Sequence, residues 1–474
     1  MQNPSHSNGS NGSANPTNGS ALPTSGSAAR PLRVAVLVDL ERNSGSGGHV
    51  KSWEHFAEAA ARLEGQIDLS VHFLGREAKT EELSPSVRYV THRPVFGTRL
   101  FDRLEKMPGH TDLAPHTSKL IPHLQDRDVI HTTDTWFAQA RTAMRFARQQ
   151  GIPLVNSLHT DVPSYTRIFL EDLVHKVVGR GAIASLLLDR WRLDRKAERY
   201  MLRQRNRYLH RCRWVLASNR EDLEAISKSS PRSRCSLLRR GIDKATFHPA
   251  KRDRARLQEI HGISAESFIL LFVGRIDAAK NADTAARAAR ILVDRGAPVH
   301  MVFAGDGAMR RELQKLLGPR ATFLGGGVPQ KDLAWIYASS DLFVFPSETE
   351  IHPNVVLEAK ACGLPVLISA RGGSAEQVTR PGEDGFVLEE GDPGVWADAI
   401  AALMRNPERL RRVGAESRRY IEEEWPSWEE VFLSEIMPVW VAVSGRPAPS
   451  PELSRRGGAV SPPRFATRPD PALR

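Results

Sequence analysis

Cysteine is scarce in this chain of 474 residues, whose three cysteines, Cys212, Cys235 and Cys362, lie far apart. Scattered thiols without a C-x-x-C spacing argue against a disulfide framework or a cysteine zinc site and favour a reducing compartment. No run of about 18 apolar residues is present, so the sequence predicts no membrane-spanning helix. Residues 1–29 are rich in Asn, Ser and Gly without an apolar core, so we expect no signal peptide. The predicted location is the cytoplasm, with a peripheral position on the cytoplasmic membrane face left open.

Acidic residues are too few to balance the basic ones, since 66 Lys and Arg stand against 55 Asp and Glu. The formal net charge of +11 favours anionic partners: nucleic acid, anionic lipid or phosphorylated substrates. Charge alone does not choose among them. The hydrophobic fraction of 41% is ordinary for a globular protein with a full core.

Short β-branched runs alternate with helical stretches along most of the chain, which predicts parallel, doubly wound α/β sheets. Helices are expected at 53–63 and 251–262. The predicted strands fall at 33–38, 69–73, 87–90, 128–132, 153–157 and 214–217, and then at 268–273, 299–304, 321–324, 342–345, 365–368 and 385–388. We predict a disordered leader over 1–31, Rossmann-like domains over 32–250 and 251–442, the second with a terminal helix, and a disordered tail over 443–474.

Two cations follow the strand predicted at 268–273. Gly274 at the strand end lets a ligand approach the backbone, and Arg275 and Lys280 are close enough in sequence for both to reach a diphosphate. Two solvated surface cations are the alternative interpretation. The Gly-Asp-Gly turn at 305–307 is weak evidence by itself.

Two glutamates stand seven residues apart, Glu350 in a loop and Glu358 in the helix that follows it. One carboxylate can face a sugar from the loop while the other meets ribose hydroxyls from the helix, because carboxylates accept strong hydrogen bonds from hydroxyls. The nearby helix N-terminus also favours a phosphate.

The order of these motifs resembles the donor domain of glycosyltransferase family 4, a group of retaining GT-B enzymes. The resemblance is strong over 268–390 and weaker over 32–250. The matching stretches are FVGRIDAAKN, AGDG, FLGGGVPQKDLAWIYASSDLFVFPSETE, NVVLEAKACGLPV, GGSAE and DGFVL. It implies two Rossmann-like domains facing across a cleft. It also implies transfer of a hexosyl unit from a UDP- or GDP-sugar to an acceptor hydroxyl, with retention of configuration.

The resemblance also implies roles for particular residues. Arg275 and Lys280 bind the donor diphosphate and stabilise the charge on the leaving nucleotide. Glu350 touches the transferred sugar, Glu358 binds the ribose, and backbone near Val328 holds the base. Asn354 in the same motif is also expected to bind the donor. No metal or other cofactor is expected, because the cations take its place and no Asp-x-Asp motif is evident.

The loop after Glu350 departs from the family, which usually has a glycine-containing segment there. Ile351, His352 and Pro353 stand in its place, and proline lacks the N–H that a sugar hydroxyl could use. The departure puts the identity of the sugar in doubt more than the activity. His352 either contacts the sugar or is only a loop histidine.

In the first half, Gly47 and Gly48 follow the first strand, where family members place a glycine pair near the phosphates or the acceptor. Their N–H groups can form an anion-binding nest, or the pair can be a plain turn. His159 closes an S-x-H segment at the end of a predicted strand, where sites cluster in α/β proteins, and the family's histidine there bonds the donor sugar. Arg240 occupies a position often held by asparagine, so it receives no role.

Residues 190–213 form a basic run with interleaved aromatics. The run is either a solvated helix face or an anionic membrane surface patch that would suit a membrane-lipid or cell-envelope acceptor. A soluble small-molecule acceptor is the alternative. Within enzymes, a GT-B epimerase or phosphorylase is a further alternative. A basic nucleic-acid-binding protein is the alternative of another class, although no binding module is recognisable and we expect no nucleic-acid partner.

Overall fold

The structure is a computed structural model. It describes residues 30–43, 46–63, 65–101, 110–159, 185–229, 234–350 and 352–446, with five single residues between 160 and 184. Residues 1–29 of the predicted leader (1–31), residues 447–474 of the predicted tail (443–474) and most of 160–184 lie outside the described residues.

The first sheet contains eight of the described strands in the order β3-β4-β2-β1-β5-β6-β7-β8, parallel except for the β3–β4 pair. Its strands are β1 Leu32–Glu41, β2 Ile67–Leu74, β3 Lys79–Ser84, β4 Val87–His92, β5 Val129–Thr132, β6 Leu154–Ser157, β7 Trp214–Ala217 and β8 Arg234–Leu237. The sheet with its covering helices is the first domain.

The second sheet contains six of the described strands in the order β11-β10-β9-β12-β13-β14, all parallel. Its strands are β9 Phe268–Val273, β10 Val299–Ala304, β11 Ala321–Gly325, β12 Leu342–Phe345, β13 Val366–Ser369 and β14 Phe386–Leu388. This sheet with its helices is the second domain. The predicted boundary at residue 250 falls in the connection between β8 and β9.

Helices connect most of these strands and cover both sheets. The described α-helices are α1 Gly48–Ala61, α2 Ile121–Leu124, α3 Ala138–Gln150, α4 Leu193–Leu209, α5 Arg220–Ser229, α6 Arg254–His261, α7 Ala282–Asp294, α8 Arg310–Leu317, α9 Gln330–Ser339, α10 Asn354–Ala361, α11 Pro393–Met404, α12 Pro407–Glu424, α13 Trp428–Val431 and α14 Met437–Ser444. None of the described helices is long and apolar enough to cross a membrane.

The two faces of the first sheet bury separate cores, as strand geometry requires. Along β1, Val34, Val36 and Val38 pack on one face, and the intervening Ala35 and Leu37 pack on the other. A strand that is buried on both faces reads as a continuous apolar run rather than an alternating one. This is why the short runs in the sequence predict the parallel strands so well.

The last helices return to the first domain. Trp428 of α13 and Trp440 of α14 belong to the same core as Val34, and Trp440 is fully buried. The chain crosses between domains a second time beside the first crossing, where Ile242 N donates to the carbonyl of Pro426 at 3.2 Å. The terminal helix that the sequence assigns to the second domain therefore packs against the first, because its apolar face completes the core over β1 and α1.

Strand β3 is missed by the sequence prediction. It is an antiparallel edge strand whose residues are mostly exposed, and its sequence KTEELS lacks apolar alternation. The helix predicted at 53–63 begins earlier, at Gly48, so that the glycine pair sits at its N-terminus. The basic run forms α4, and Tyr208 and Leu209 near its end pack into the first domain.

Candidate active site

The predicted site residues lie where strands end. Gly47 and Gly48 follow β1 and begin α1, His159 follows β6, and Arg275 follows β9. Parallel strands share one carboxyl edge, where ligands bind in open α/β sheets. The two domains meet there, since a Cβ built on Gly48 would lie 3.6 Å from Nδ2 of Asn354, the first residue of α10. The N-termini of α1 and α10 therefore face each other across the cleft.

Lys280 is the most enclosed cation of the second domain's edge. Only 8% of its side chain is exposed, and its Nζ contacts Oε1 of Glu350, whose side chain is 26% exposed. Asp277 fixes the turn that carries the lysine by accepting from the Lys280 backbone N–H at 3.1 Å. Arg275 is more exposed and pairs with Asp277 at 2.8 Å. Both predicted diphosphate cations therefore already hold carboxylate partners.

The loop that carries Glu350 is tied to its neighbours by backbone and side-chain hydrogen bonds. Gly373 N donates to the carbonyl of Glu350 at 2.7 Å, and Asn281 Nδ2 donates to the carbonyl of Pro346 at 3.0 Å. Thr349 Oγ1 donates to the carbonyl of Ala279 at 2.8 Å. These bonds join the loops after β9, β12 and β13, so the Lys280–Glu350 pair is held from three sides.

Glu358 is buried in α10, and its Oε2 accepts from the hydroxyl of Tyr337 at 3.0 Å. Burial raises the pKa of Glu358 to about 7, against the opposing effect of the Tyr337 hydrogen bond. No hydrogen bond from a described residue reaches Oε1, which leaves one carboxylate oxygen for a ligand hydroxyl. Val328 lies in the loop between β11 and α9, partly buried against the second core.

His159 ends a chain of hydrogen bonds that runs through the buried floor of the first domain. Trp440 Nε1 donates to His131 Nδ1 at 2.9 Å, so His131 must carry its proton on Nε2, which lies 2.9 Å from Ser157 Oγ. Ser157 Oγ in turn lies 2.8 Å from His159 Nε2, which also accepts from Trp53 Nε1 at 3.2 Å. Nε2 of His159 is thus an acceptor.

The neutral ring of His159 must therefore carry its proton on Nδ1. Burial, with the charges of His49 and Arg240 adding to it, lowers the pKa of His159 well below its usual value, so the ring is neutral near pH 7. Nδ1 is buried and has no hydrogen-bond partner. The arrangement leaves an N–H donor available to a ligand hydroxyl or oxyanion.

His49 stacks on His159, with ring centroids 4.4 Å apart and the planes 18° from parallel. It follows the glycine pair at the start of α1, and both of its ring nitrogens are buried without a partner. Burial and the charge of Arg240 lower the pKa of His49 to about 3. The stacked pair therefore places neutral imidazoles beside the Gly48–Asn354 contact.

His352 is held inside the second domain. Its Nδ1 lies 2.9 Å from Gln377 Nε2, and the same amide donates to the carbonyl of Pro353 at 2.9 Å. The ring is buried and packs near Trp425 at 5.6 Å between centroids. These contacts favour the loop-histidine interpretation, since they engage the ring within the fold.

The structure thus brings Lys280 to Glu350 and Gly48 to Asn354, and it places His159 at the floor of the same cleft. Glu358 and Val328 lie on separate elements of the second domain, and Arg275 pairs locally. No group of three or more potential metal ligands occurs within the described ranges, and metal independence stays a prediction. The sequence reasoning missed His49, Ser157, Trp53 and Trp440 and left Arg240 without a role.

The position of His49 directly after a glycine pair was the one available signal for it. Trp440 gave none, since it lies 309 residues from the histidine to which it donates. Arg240 carried a signal in its departure from asparagine.

Two family models match this chain. The model described as glycosyl transferases group 1 matches residues 253–420, and the model for glycosyltransferase family 4 matches residues 46–246. The fold is similar to sucrose-phosphate synthase from Thermosynechococcus elongatus (TM-score 0.63, 20% identity, 87% of this chain and 99% of that one). It is also similar to HepE from Anabaena, solved in complex with UDP and glucose (TM-score 0.60, 17% identity, 86% and 99%).

Two doubly wound domains meeting at the carboxyl edges of their sheets define the GT-B fold. Among sequence relatives, a D-inositol 3-phosphate glycosyltransferase 1 from Catenulispora acidiphila is 30% identical over 316 residues, which are 64% of this chain and 70% of the relative. Sulfoquinovosyl transferase SQD2 from Arabidopsis thaliana is 24% identical over 403 residues, 83% of this chain and 71% of the relative. The chain belongs to glycosyltransferase family 4, and it is a glycosyltransferase.

Proposed function

We propose that this enzyme transfers a hexosyl unit from a UDP-sugar to an acceptor hydroxyl with retention of configuration. The observation that carries the proposal is the enclosed Lys280–Glu350 pair, which lies at the domain edge that faces the N-terminus of α1. Two solved structures share this fold: HepE in complex with UDP and glucose, and an E. coli structure described as trehalose-6-phosphate bound with UDP-2-fluoro glucose. Both support UDP over GDP as the nucleotide of the donor.

Donor binding would exchange partners within the pair. The diphosphate attracts Lys280 and Arg275 more strongly than a single carboxylate does, because it carries more charge. Glu350, released from the lysine, then accepts hydrogen bonds from the sugar hydroxyls. The buried Glu358 accepts from the ribose through Oε1. The Lys280–Glu350 ion pair therefore keeps both side chains ordered in an enclosed place.

Reaction would follow on one face of the sugar. The acceptor oxygen bonds to the anomeric carbon as the bond from that carbon to the phosphate oxygen breaks, and the acceptor proton moves to the departing phosphate oxygen. Lys280 and Arg275 stabilise the negative charge that develops on the leaving UDP. No protein nucleophile is needed, and retention results from attack on the face that the phosphate leaves.

The acceptor is best proposed as a polar small molecule. The relatives that match this chain include D-inositol 3-phosphate glycosyltransferases, whose names specify such an acceptor. The sequence favoured a membrane lipid or cell-envelope acceptor instead, on the basis of the basic run over 190–213. The exposed surface of α4 still supports the membrane-lipid or cell-envelope acceptor as a second candidate.

The surface of α4 and the segment before it combines arginines with exposed apolar side chains. Four of the eight large exposed hydrophobic residues among those described lie here, with exposed fractions of 41% for Leu186, 50% for Trp191, 52% for Tyr200 and 37% for Leu202. Exposed cations surround them: Arg190, Arg192, Arg195, Lys196, Arg199, Arg203 and Arg207. Such a mixture suits the interface of an anionic bilayer.

A donor screen by thermal shift tests the proposed donor. UDP should raise the melting temperature of the wild-type enzyme, while Lys280→Ala should show a smaller shift at equal concentration. Incubation of UDP-glucose with D-inositol 3-phosphate, followed by NMR of the product, reports transfer and the anomeric configuration. An inverted product would contradict the proposed stereochemistry, and the absence of UDP binding would contradict the donor.

Flotation with vesicles separates the two acceptor candidates. If α4 docks on membranes, anionic phosphatidylglycerol vesicles should capture the enzyme and phosphatidylcholine vesicles should not. Each basic residue contributes about 1 kcal/mol near such a surface, or roughly fivefold in affinity. Trp191→Ala should weaken capture, and Ile260→Ala is the matched control because Ile260 is 54% exposed on α6 of the other domain. Equal recovery with both vesicle types removes the membrane candidate.

A further inference from the structure

Arg240 is a buried cation in the cleft that forms no ion pair with a carboxylate of the described residues. The residue is 6% exposed, and among the described residues its side chain hydrogen-bonds to Ser52, from Nη1 to Oγ at 2.7 Å. Its Nε is buried and unpartnered. Trp425 Nε1 donates to the Arg240 carbonyl at 2.8 Å, which fixes the backbone at the crossing between the domains. Within the part of the chain that the structure describes, the guanidinium is therefore hydrogen-bonded to a neutral hydroxyl and not to a carboxylate.

The two other buried cations among the described residues, Lys280 and Lys360, are neutralised. Lys360 contacts Asp384 at 2.9 Å with both side chains fully buried, and Lys280 contacts Glu350. A buried charge without an opposite charge costs free energy, so folds seldom retain one for stability alone. Burial lowers the pKa of Arg240 to about 10, and the group still carries its charge near neutral pH.

The surroundings of Arg240 place it beside the proposed sugar site. Its positive charge lowers the pKa values of His49, His159 and His352, and the carboxylate of Glu350 acts back on it by raising the pKa of the guanidinium. The geometry agrees, because Ser52, which accepts from Arg240 Nη1, donates through Oγ to the carbonyl of Gly48 at 2.7 Å, and the next residue, His49, stacks on His159. Arg240 thus lies at the start of α1, close to the stacked histidines. The carboxylate of Glu350 is already paired with the ammonium group of Lys280.

The unsatisfied groups on this floor include hydrogen-bond donors with fixed protons. Arg240 Nε can only donate, and the hydrogen bonds of Ser157 and Trp53 leave the proton of His159 on its unpartnered Nδ1. A ligand that satisfies both must offer acceptor atoms, and a charged one would also neutralise the guanidinium. A neutral hydroxyl would satisfy the hydrogen bonds and leave the charge without a partner.

We propose that Arg240 and His159 Nδ1–H form an oxyanion subsite at the floor of the cleft, which selects a substrate with a carboxylate, sulfonate or phosphate group outside the donor diphosphate. The group belongs either to the transferred sugar or to the acceptor. The subsite rests on the proposed function, since it presumes that a nucleotide sugar occupies the cleft. It is distinct from the diphosphate contacts, for which Lys280 and Arg275 are available at the other domain's edge.

Binding measurements with paired ligands test the subsite and identify the source of the anion. In the donor arm, UDP-glucuronate is compared with UDP-glucose. In the acceptor arm, D-inositol 3-phosphate is compared with inositol on the UDP-saturated enzyme. Each affinity is measured by calorimetry for the wild type, for Arg240→Asn and for Arg290→Gln, a control that removes an exposed arginine from α7. Asparagine is chosen because it often stands at this position in the family that the sequence resembles.

The wild type should favour the charged ligand in one arm, and Arg240→Asn should lose about 10- to 100-fold in affinity for that ligand, as expected for a charge-assisted hydrogen bond. Affinities for UDP and for the neutral ligands should stay within about twofold. Preference in the donor arm assigns the anion to the sugar, and preference in the acceptor arm assigns it to the acceptor.

Three results would overturn the subsite. One is a wild-type enzyme without preference for the charged ligand in either arm. Another is an Arg240→Asn variant whose affinity for UDP falls as much as its affinity for the charged ligand, which would make Arg240 a diphosphate ligand. The third is a marked fall in the melting temperature of ligand-free Arg240→Asn, which would make its role structural. Failure of the wild type to bind UDP is a separate outcome, because it contradicts the proposed donor.

Discussion

Replacement of Lys280 by alanine separates the proposed chemistry from the stability of the fold. The lysine Nζ is enclosed, with 8% of the side chain exposed, and it contacts the carboxylate of Glu350. Alanine removes the cation that we propose stabilises the leaving diphosphate. Loss of a single preorganised group of this kind costs about 2.7–4 kcal/mol of transition-state stabilisation, so kcat should fall by about 10²- to 10³-fold.

Lys280→Ala should lower the free energy of unfolding by less than it lowers transition-state stabilisation. Breaking a fully buried ion pair costs about 3–5 kcal/mol, and an exposed pair contributes up to about 1 kcal/mol. Glu350 is 26% exposed, so water can solvate its carboxylate once the lysine is gone. We therefore expect a loss of about 2 kcal/mol in the free energy of unfolding, which leaves the enzyme folded at room temperature.

A double-mutant cycle with Glu350→Gln distinguishes the two effects. Urea unfolding of both single variants and the double variant measures the coupling between the side chains. Single-turnover kinetics with saturating UDP-sugar measure the chemical step. In the double variant, stability should recover in part because no buried charge lacks a partner, while kcat should stay low. Activity near that of the wild type in Lys280→Ala would refute the assigned role.

Three further predictions concern Glu358, the hydrogen-bond chain to His159 and the crossing between the domains. The pKa of about 7 for Glu358 predicts that UDP affinity rises up to about tenfold from pH 6 to pH 8 as the carboxylate ionises. Glu358→Gln should flatten this pH profile. An equal slope in the wild type and in Glu358→Gln contradicts the ribose contact. Between the ordinary pKa of a glutamate and about pH 7, the folded state also binds more protons than the unfolded state, because the pKa of Glu358 is raised. The free energy of unfolding should therefore fall as the pH rises through that window, and this pH dependence should be absent in Glu358→Gln. Ser157→Ala should lower kcat several-fold with little change in UDP affinity, and ¹⁵N NMR should still show the Nδ1–H tautomer of His159, because Trp53 Nε1 also donates to Nε2; an Nε2–H tautomer in the wild type contradicts the hydrogen-bond chain. Gly241→Ala should cost about 1–3 kcal/mol in urea unfolding, because its Cβ would lie 2.4 Å from backbone atoms of the returning segment, while Gly47→Ala, with no atom within 4 Å, should not.

The sequence predicted the parallel strands well because each is a short, continuous apolar run. Arg275, Lys280 and Glu350 could be proposed as site residues for a similar reason, since each lies in a loop that follows one of these apolar runs; their roles stay predictions. Edge strand β3 could not be predicted this way, because its side chains are solvated on both faces and carry no apolar signal.

Contacts between distant segments could not be predicted from local pattern. Ser52 and Arg240 are 188 residues apart, and Trp440 donates to a histidine 309 residues earlier. Each looks ordinary in its own segment: a serine in a helix, an arginine in a basic stretch, a tryptophan in an apolar helix. These contacts form only because the chain crosses twice between the domains, and the periodicity of the sequence does not predict that path.

The return of the last helices has a consequence for how the chain is made. Synthesis proceeds from the N-terminus, so β1 and α1 leave the ribosome long before Trp428 and Trp440, which complete the core over them. The second domain, in contrast, draws its core from one continuous stretch, residues 242–425. We expect the later-made domain to be finished first, while the earlier one keeps an apolar face uncovered and dependent on chaperones until residues 428–444 emerge.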